Sequence, residues 1–408
     1  MANSLLTIDM ITREVLRVAH EKASFLGTID RQYDDSFAKT GAKIGSTLRV
    51  RKPNQYTRRQ GSRVMSVQEQ SEAYGSITVA TQDGVDMKFN SAELALTIDD
   101  FSERYIVPAT SMLISSIESD AIAYCTKATF NTAGTAGSPP TDLVAVGSAR
   151  AKMNQFLAPK DGNRFVQMNS VTMGGMVNGL KGLFQDSSQI KEQYREGMIG
   201  RTGMADFYEN DRMWTLTNGS DVTGTTDSTG LGTAASDGGY SSVDMHTTVA
   251  VAAQNVGQVF TIAGIYACHP ETKSGYAQLQ QFVITGSSGN FTTISPTIYL
   301  SGPRQNVCSS TGGTLTTTSF NSQTLTFVGS ASTSYVQDLM YHKEAFQFVT
   351  ADLPLMADAA DCVRRNQDGF SMRVWKGSDI RNDELLMRID ILYGMAALRP
   401  EWACRITN

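Results

Sequence analysis

The four histidines are the first residues to consider for chemistry, because an imidazole is the usual general base beside a Ser or Cys nucleophile. They are His20, His246, His269 and His342. Among them, His269 directly follows a thiol, at Cys268. Consecutive side chains of a strand point to opposite faces, so this pair is not arranged for proton transfer. The histidines therefore give no indication of a catalytic site.

The cysteines form no recognisable site either. There are five, far apart in the chain and never in a C-x-x-C pair. Such spacing indicates neither a disulfide framework nor a zinc site, and we expect buried thiols. The cysteines are Cys125, Cys268, Cys308, Cys362 and Cys404.

Other motifs with a known mechanism are also missing from the sequence. It contains no P-loop, no G-x-G-x-x-G, no H-E-x-x-H and no EF-hand loop. Aspartates are scattered between Asp221 and Asp244, but without the fixed carboxylate spacing of a calcium loop, so we expect solvated loop residues there. We predict no enzyme, no catalytic residue, no cofactor and no metal.

The charge balance excludes further classes of protein. The chain has 35 Lys and Arg against 40 Asp and Glu, a net charge of -5, whereas dedicated nucleic-acid binders are typically basic. No apolar run has the length of a membrane span. The first residues lack the basic start and apolar core of a signal peptide, which predicts a cytosolic product.

One segment nevertheless carries a dense basic cluster without any acidic residue, from Thr47 to Val64. With Pro53 and Gly61 as breakers and an alternating run at 76–81, it predicts a long open β-hairpin. Phosphate binding is one interpretation. An arm that pairs with an acidic protein surface is favoured, because the run lacks helical organisation and the chain is acidic overall. The cations are Arg49, Arg51, Lys52, Arg58, Arg59 and Arg63.

Two helices are predicted to frame this hairpin. Apolar residues at helical spacing predict an amphipathic helix over 8–24. A longer helix of about 28 residues is predicted from Phe101, where Asp99 and Asp100 supply N-terminal capping. Pro108 should kink this helix or delay its regular start. Its apolar face comprises Ile106, Leu113, Ile117, Ala121 and Tyr124.

The middle of the chain changes character. A helix over 142–157, a strand over 164–168 and a glycine-containing helix over 173–184 are followed by 121 residues, Thr215 to Tyr335, with only seven charges. Short β-like runs within that stretch, separated by turns such as Gly286–Gly289, predict a small β-barrel or sandwich. It is interpreted as an insertion, since the mixed α/β pattern resumes at Gln337. The predicted strands of the stretch are 247–252, 258–263, 279–285, 292–300 and 324–328.

Two segments resemble one known family. The pattern L-x-R-I-x-x-x-Y-G-x-x-x-x-R-P-E is matched by residues 386–394 together with Arg399-Pro400-Glu401. Within this match, residues 386–393 predict an amphipathic strand. Residues 194–201, with Ala205 and Phe207, fit Y-R-[DE]-G-x-I-x-R-x-x-x-A-x-F. Both patterns are similar to those of the coat proteins of short-tailed Salmonella bacteriophages, and they occur in the same order.

Flanking segments are similar to the same family over nearly the whole chain. Residues 45–53 resemble the strand that enters the extended loop of such coat proteins, and residues 257–264 resemble part of their inserted domain. The match departs at Gln258, where the family has an acidic residue, and in the low-charge stretch 221–244. His342, Ala345, Phe346, Pro354 and Leu355 resemble the segment that returns from the insertion.

The resemblance implies an α+β, HK97-like major capsid fold with an inserted β-barrel domain. The implied parts are an N-terminal arm (1–35), an extended loop with flanking strands (36–90), and a spine helix, peripheral domain and first part of the axial domain (91–215). An inserted β-barrel domain (216–335) and a return to the axial domain with a C-terminal peripheral strand (336–408) complete the chain.

The resemblance also implies a function in self-assembly. Hexamers and pentamers would form an icosahedral shell around the double-stranded DNA genome of a tailed phage, assembled in the host cytoplasm with scaffolding and portal proteins. A decoration protein is a further possible partner, and contact with the packaged DNA would be weak and non-specific. The six cations of the hairpin would contact a neighbouring subunit. A phage tail or adhesin-type surface protein is the alternative.

Two finer points follow from the same resemblance. Some relatives crosslink a lysine of the extended loop to a neighbouring subunit, but the resemblance is closest to members that do not, so no crosslink through Lys52 is expected. The inserted domain would stiffen the subunit and touch a neighbour. A host-surface or glycan contact through its Ser-, Thr- and Gly-rich loops is the other hypothesis for that domain.

Overall fold

The computed structural model describes most of the chain, in two compact units. The first unit comprises Met1–Val50, Gly75–Ile122 and Phe346–Leu398, and the second Arg51–Tyr74, Ala123–Ala345 and Arg399–Asn408. Both contain helices and sheets, which confirms the α+β class. The described residues are 8–33, 47–59, 61, 65, 67, 72–90, 102–180, 200–245, 249, 254–288, 290–355, 361–367, 369–379, 382 and 384–408.

The elements within these residues are numbered in chain order. The α-helices are α1 (Ile8–Lys22), α2 (Phe25–Thr28), α3 (Val107–Ala128), α4 (Leu143–Gln155) and α5 (Ser170–Leu180). The strands of the first half are β1 (Asp30–Tyr33), β2 (Thr47–Lys52), β3 (Ala73–Thr78), β4 (Thr81–Asn90), β5 (Thr132–Gly134), β6 (Arg164–Met168), β7 (Arg201–Thr202), β8 (Ala205–Glu209) and β9 (Thr215–Thr217). The remaining strands are β10 (Thr223–Thr225), β11 (Tyr240–Asp244), β12 (Val259–Cys268), β13 (Gly275–Ser288), β14 (Phe291–Ile298), β15 (Val307–Cys308), β16 (Thr324–Phe327), β17 (Ser334–His342), β18 (Phe346–Ala351), β19 (Asp361–Gln367), β20 (Phe370–Asp379), β21 (Glu384–Ala397) and β22 (Ala403–Thr407).

The sheet of the first unit is built around β21. Its order is β1-β18-β21-β20-β19, and β4 also pairs with β21. The predicted strand at 386–393 is confirmed, but it extends to Glu384–Ala397 because three antiparallel neighbours pair along it. The amphipathic helix α1 packs against β19 and β20, and its predicted apolar face is buried at Ile11, Val15 and Val18.

The long helix begins later than its first predicted residue. A π-helical turn, Ser102–Ile106, precedes α3, and Pro108 is the second residue of the regular helix, where the missing N–H costs nothing. The proposed capping residues Asp99 and Asp100 lie outside the described residues. The predicted face is buried except at Tyr124, which is 44% exposed. That assignment was wrong, since Ile122 and Cys125 occupy the buried side of this turn instead.

The second unit contains another mixed sheet, of order β5-β22-β17-β6-β8-β7, with β9 pairing with β17. The predicted helix over 142–157 is confirmed as α4, and its N-cap Asp142 accepts a hydrogen bond of 2.9 Å from the Val144 N–H. The predicted strand over 164–168 is confirmed as β6. Helix α5 starts at Ser170, three residues before the predicted start at 173, and residues 181–184 lie outside the described part.

The low-charge stretch contributes a sheet of its own, of order β10-β16-β12-β13-β14-β11, with β15 beside β12. Backbone hydrogen bonds also join the segment that follows β10 to β11, the strand at the other end of the sheet. Asp227 N–H donates to Asp244 O at 2.8 Å, and Asp244 N–H donates to Gly230 O at 2.9 Å. Apolar side chains from these strands form one buried cluster that includes Phe260, Phe282 and Phe320. These contacts are typical of a small barrel.

The predicted turn at Gly286–Gly289 was wrong in part. Strand β13 continues to Ser288, and residues 286–288 pair with Thr293, Thr292 and Phe291 of β14. Ladder hydrogen bonds use the backbone, so small polar residues do not interrupt them when the partner strand is in place. Of the predicted strand 247–252, the structure describes only Val249, which is buried but not in a strand.

Four of the five cysteines are buried free thiols, as predicted. Cys362 is the exception and is only partly buried, since β19 is the last strand of its sheet. None of the described helices is long and apolar enough to span a membrane.

Candidate functional site

The basic segment forms the predicted hairpin, in which β2 pairs with β3. Along β2, Leu48 and Val50 pack against a buried cluster that includes Ile77, while the alternate residues Arg49 and Arg51 are exposed. Alternation of this kind is the period-two pattern of a half-buried strand. The hairpin is therefore anchored through its apolar face, and its charges point to solvent.

The charges of the hairpin are accompanied by exposed apolar side chains. Tyr56 and Tyr74 are each 57% exposed, and Met65 and Val67 are 77% and 80% exposed. Arg58 and Arg59 are exposed in the segment after β2. A surface that mixes arginine with exposed aromatic side chains has the composition of a protein interface.

Among the described residues of the hairpin, an ion pair joins two exposed side chains. Arg51 Nη1 lies 3.4 Å from Glu72 Oε2, and both side chains are exposed. An exposed pair of this geometry contributes little to stability. Lys52 is half-buried, and Arg63 lies outside the described residues.

Two residues of the C-terminal motif, Arg388 and Asp390, belong to a buried cluster of charged side chains in the first unit. Asp390 is fully buried and accepts hydrogen bonds from Arg373 Nη2 at 2.6 Å and Arg388 Nε at 2.7 Å. The opposite residue in β4 is Gly84, where a Cβ atom would lie 2.6 Å from Asp390 Oδ1. Arg388 was part of the predicted motif, but the roles of Asp390 and Arg373 were missed, because only the sheet register brings them together.

Tyr393 and Gly394 of the same motif fix the packing of β21. The Tyr393 ring stacks on Phe348 with centroids 5.6 Å apart, and its hydroxyl donates to Asp83 Oδ2 at 2.7 Å. Burial and this hydrogen bond raise the pKa of Tyr393. At Gly394 an added Cβ would lie 2.3 Å from the Thr78 carbonyl oxygen, so no larger residue fits without a backbone shift.

The final motif residues, 399–401, anchor a corner of the second unit. The Arg399 guanidinium lies 4.1 Å from the ring centroid of Trp402, whose Nε1 donates to Phe156 O at 3.2 Å. His342 contacts the other side of this corner, with its ring edge-on to Trp402 at 5.6 Å. The motif is structural in both units, which favours a role in shape over one in chemistry.

A comparison with family models provides the decisive observation. The model described as "P22 coat protein - gene protein 5" matches residues 71–405. The chain belongs to the P22 coat protein family. This confirms the family predicted from the two sequence patterns and, with it, the HK97-like capsid fold. The protein is a coat protein, a structural component of a phage capsid shell that forms by self-association.

Three solved structures are among those similar to this chain. A structure titled "Mycobacterium phage Che8" is 10% identical with a TM-score of 0.46, covering 92% of this chain and 88% of that chain. The "Capsid structure of the Cyanophage P-SCSP1u" is 10% identical with a TM-score of 0.42, covering 93% and 85%. The "Asymmetric unit of bacteriophage PhiM1 mature capsid" is 10% identical with a TM-score of 0.43, covering 94% and 86%. A comparison with curated protein sequences gives no significant match.

Two histidines of the coat protein, His342 and His269, form hydrogen bonds within the fold. His342 is buried, accepts the Glu344 N–H at Nδ1 (3.3 Å) and therefore donates from Nε2 to Asp161 Oδ1 at 3.0 Å. His269 Nδ1 accepts the N–H groups of Glu271 and Thr272, at 3.1 and 3.2 Å. Burial raises the pKa of Cys268 to about 11, so its thiol is not activated. His246 lies outside the described residues.

The prediction that the aspartates between Asp221 and Asp244 are solvated loop residues was wrong for two of them. Asp227 and Asp244 are buried, and a backbone hydrogen bond of 2.8 Å joins Asp227 N–H to Asp244 O. Asp237 pairs with Arg304 at 2.9 Å and accepts the Tyr299 hydroxyl at 2.7 Å. Among the described residues, no group of three His, Cys, Asp or Glu side chains is arranged to hold a metal ion.

Proposed function

We propose that the coat protein is the major capsid protein, which assembles into the hexamers and pentamers of an icosahedral shell. The family match over residues 71–405 carries this proposal. The shell would enclose the double-stranded DNA genome of a tailed phage. A net charge of -5 supports only weak, non-specific contact with that DNA, since neutralising phosphates requires a basic surface.

The proposed parts of the subunit are those expected from the sequence. They are the arm (1–35), the extended loop with its flanking strands (36–90), the spine, peripheral and first axial part (91–215), the inserted β-barrel domain (216–335) and the return (336–408). Pairing of β9 with β17 supports the insertion, because Thr217 lies opposite Ser334 where the chain leaves and re-enters. A bond of 3.0 Å from Ser332 N–H to Gly219 O continues this neck.

Contacts between subunits are proposed to use the basic hairpin. Its exposed cations would dock on an acidic patch of the adjacent subunit, where charge complementarity sets register and association rate more than affinity. Exposure of Arg49, Arg51, Arg58 and Arg59 and of the nearby Tyr56 supports this role. Lys52 and Arg63 belong to the same proposed surface, and no covalent crosslink through Lys52 is proposed.

Reversing two of these charges tests the proposal. In the variant R58E/R59E we expect the yield of closed shells to fall at least about tenfold, since like charges would face each other across the contact. The matched control is K160E/K343E, which makes the same change in charge at two exposed lysines of the second unit. Sedimentation and electron microscopy measure the shells, and circular dichroism checks that the monomers fold. Normal shells from R58E/R59E would contradict the role of the hairpin.

The same microscopy separates the proposed function from its alternative. Expressed alone and with neighbouring viral genes, a major capsid protein gives closed icosahedral shells. A tail or adhesin-type surface protein gives tubes or only monomers. We propose that assembly takes place in the host cytoplasm with scaffolding and portal proteins, and that a decoration protein is a further partner. The assembled protein would be located in the virion. It would have no enzymatic activity and no cofactor.

A further inference from the structure

A buried guanidinium in the second unit has no acidic partner. Arg405 on β22 is fully buried, and its Nη1 donates to Gly257 O at 2.6 Å and its Nη2 to Lys127 O at 3.3 Å. Its Nε has no hydrogen-bond partner. Across the described part of the chain, no ion pair includes Arg405. Two carbonyl dipoles offset only part of a buried charge.

A second cation increases the positive charge in the same region. Lys152 on α4 donates from Nζ to Thr132 O and, at 2.8 Å, to Gln281 Oε1. Both Lys152 and Arg405 interact electrostatically with the sulfur of Cys404. Burial nevertheless raises the pKa of that thiol to about 12, so it is neutral and does not compensate the cations. Burial lowers the pKa of Arg405 to about 9, which leaves it positively charged at neutral pH.

Arg405 lines a small cavity together with Thr132, Tyr335, Gln337 and Thr407. Thr407 Oγ1 donates to Gln337 Oε1 at 3.0 Å, so the bond of 2.9 Å between the two threonine hydroxyls is donated by Thr132. Gln337 Nε2 gives one hydrogen to Tyr335 O at 3.3 Å and retains a second. The cavity has room for about one water molecule or one monatomic ion.

We propose that this cavity binds a monatomic anion, chloride under cellular conditions, with Arg405 as its principal ligand. A water molecule could accept the free Nε–H, but it would leave the charge of Arg405 uncompensated, since this guanidinium forms no ion pair with a described carboxylate. Phosphate and sulfate are too large for the space. This site is independent of the assembly proposed above, because every residue that forms it belongs to one unit of one chain.

Replacing the arginine tests the site in the full-length monomer. We expect the midpoint of thermal unfolding to rise by several degrees when chloride replaces gluconate at constant ionic strength, as for any ligand that binds only the folded state. In R405M this response should disappear. The control R164M also removes a buried guanidinium with carbonyl partners, but Arg164 does not line the cavity, so this variant should keep the response.

Two further measurements keep the test decisive if R405M fails to fold. In the wild type, ³⁵Cl NMR should show saturable line broadening that bromide displaces. The variant V259I adds one methylene to a cavity-lining side chain and keeps Arg405, and it should weaken chloride binding at least tenfold. The proposal is overturned if the wild type shows neither a chloride response nor saturable broadening, or if R405M or V259I retains wild-type chloride binding.

Discussion

The buried carboxylate of Asp390 holds two arginines of the first unit, and this charge arrangement has a measurable cost when it is broken. Arg373 is itself almost fully buried, so removing the Asp390 carboxylate would leave a buried cation without its acidic partner. We expect D390N to lower the free energy of unfolding by about 3 to 5 kcal/mol, the range for removing one partner of a buried ion pair. Urea denaturation of the monomer measures this loss.

A matched control uses the same substitution in an exposed pair. D237N removes the charge that faces Arg304 on the barrel, where the expected loss is below about 1 kcal/mol. Equal losses in the two variants would show that burial of the Asp390 cluster is not what stabilises the sheet.

Asp338 is a second buried carboxylate, and it predicts a dependence of stability on pH. It accepts hydrogen bonds of 2.9 Å from Asn169 N–H and Asn408 Nδ2, but burial, the largest effect, raises its pKa to about 7. In the unfolded chain this carboxyl group has the ordinary pKa of 3.8. Between pH 3.8 and about pH 7 the folded state therefore holds a proton that the unfolded state has lost. Its stabilising contribution is therefore complete below about pH 4 and is lost as the pH rises through 7.

We expect D338N to remove this loss, because a carboxamide does not titrate. The slope that Asp338 contributes is at most about 1.4 kcal/mol per pH unit. Urea unfolding at several pH values between 4 and 8 measures it. D206N, at a half-buried aspartate paired with the exposed Arg201, should keep the wild-type profile, and an unchanged profile in D338N would contradict the assignment.

At the scale of elements, β21 is constrained by the backbone that crosses Gly394. An added Cβ would lie 2.3 Å from Thr78 O and 3.0 Å from Val79 Cα, and neither backbone atom can move without displacing its strand or loop. We expect G394A to lower the free energy of unfolding by about 2 kcal/mol or more. The control is G377A on β20, where nothing lies within 4 Å of the added Cβ and the expected change is within about 0.5 kcal/mol. Similar stability of both variants would contradict the packing argument.

Elements with strong local periodicity were predictable from the sequence. The spacing of Ile11, Val15 and Val18 identified α1, and Leu113 and Ile117 identified α3. A buried helical face is visible in a sequence because its apolar residues recur every three or four positions. Tyr124 shares that spacing but is exposed, since the period alone does not say how wide the covered face is. The end of β13 depended on pairing with β14, which no local pattern encodes.

The basic hairpin could be predicted from the sequence, but the buried charged residues and their partners could not. Arg49 and Arg51 could be identified because they belong to a dense basic run without any acidic residue, from Thr47 to Val64. The cluster of Arg373, Asp390 and Gly84 joins residues from three strands, and the partners of Arg405 are separated from it by more than a hundred residues. Such contacts follow from register and topology, which one sequence does not display.

At the scale of the whole molecule, the sheet of the low-charge stretch, which we propose to be the inserted barrel, supplies partners to the rest of the second unit. Gly257 O and Gln281 Oε1 accept from Arg405 and Lys152, and Tyr276 OH donates to Gln155 O at 3.0 Å. We expect replacement of residues 220–332 by a two-residue linker to destabilise or unfold the remainder, because both cations lose barrel acceptors. Soluble yield, thermal unfolding and shell geometry measure the effect.

The reason for that loss can be checked separately. Adding R405M and K152M to the deletion removes the two orphaned charges, so part of the stability should return. Intact shells with altered host attachment from the deletion alone would instead favour the hypothesis that the barrel contacts the host surface.

The position of β21 and β22 has a consequence for the order of events during synthesis. The sheet of the first unit is centred on β21, and β22 lies between β5 and β17 in the sheet of the second unit. Both strands are translated after nearly all of their partners, and non-local strand pairing forms only once the whole intervening chain is available. The sheet of the first unit is complete only after synthesis of residue 397, and the sheet of the second unit only after residue 407. Chains that are still being translated therefore lack these strands, and we expect them not to enter a growing shell.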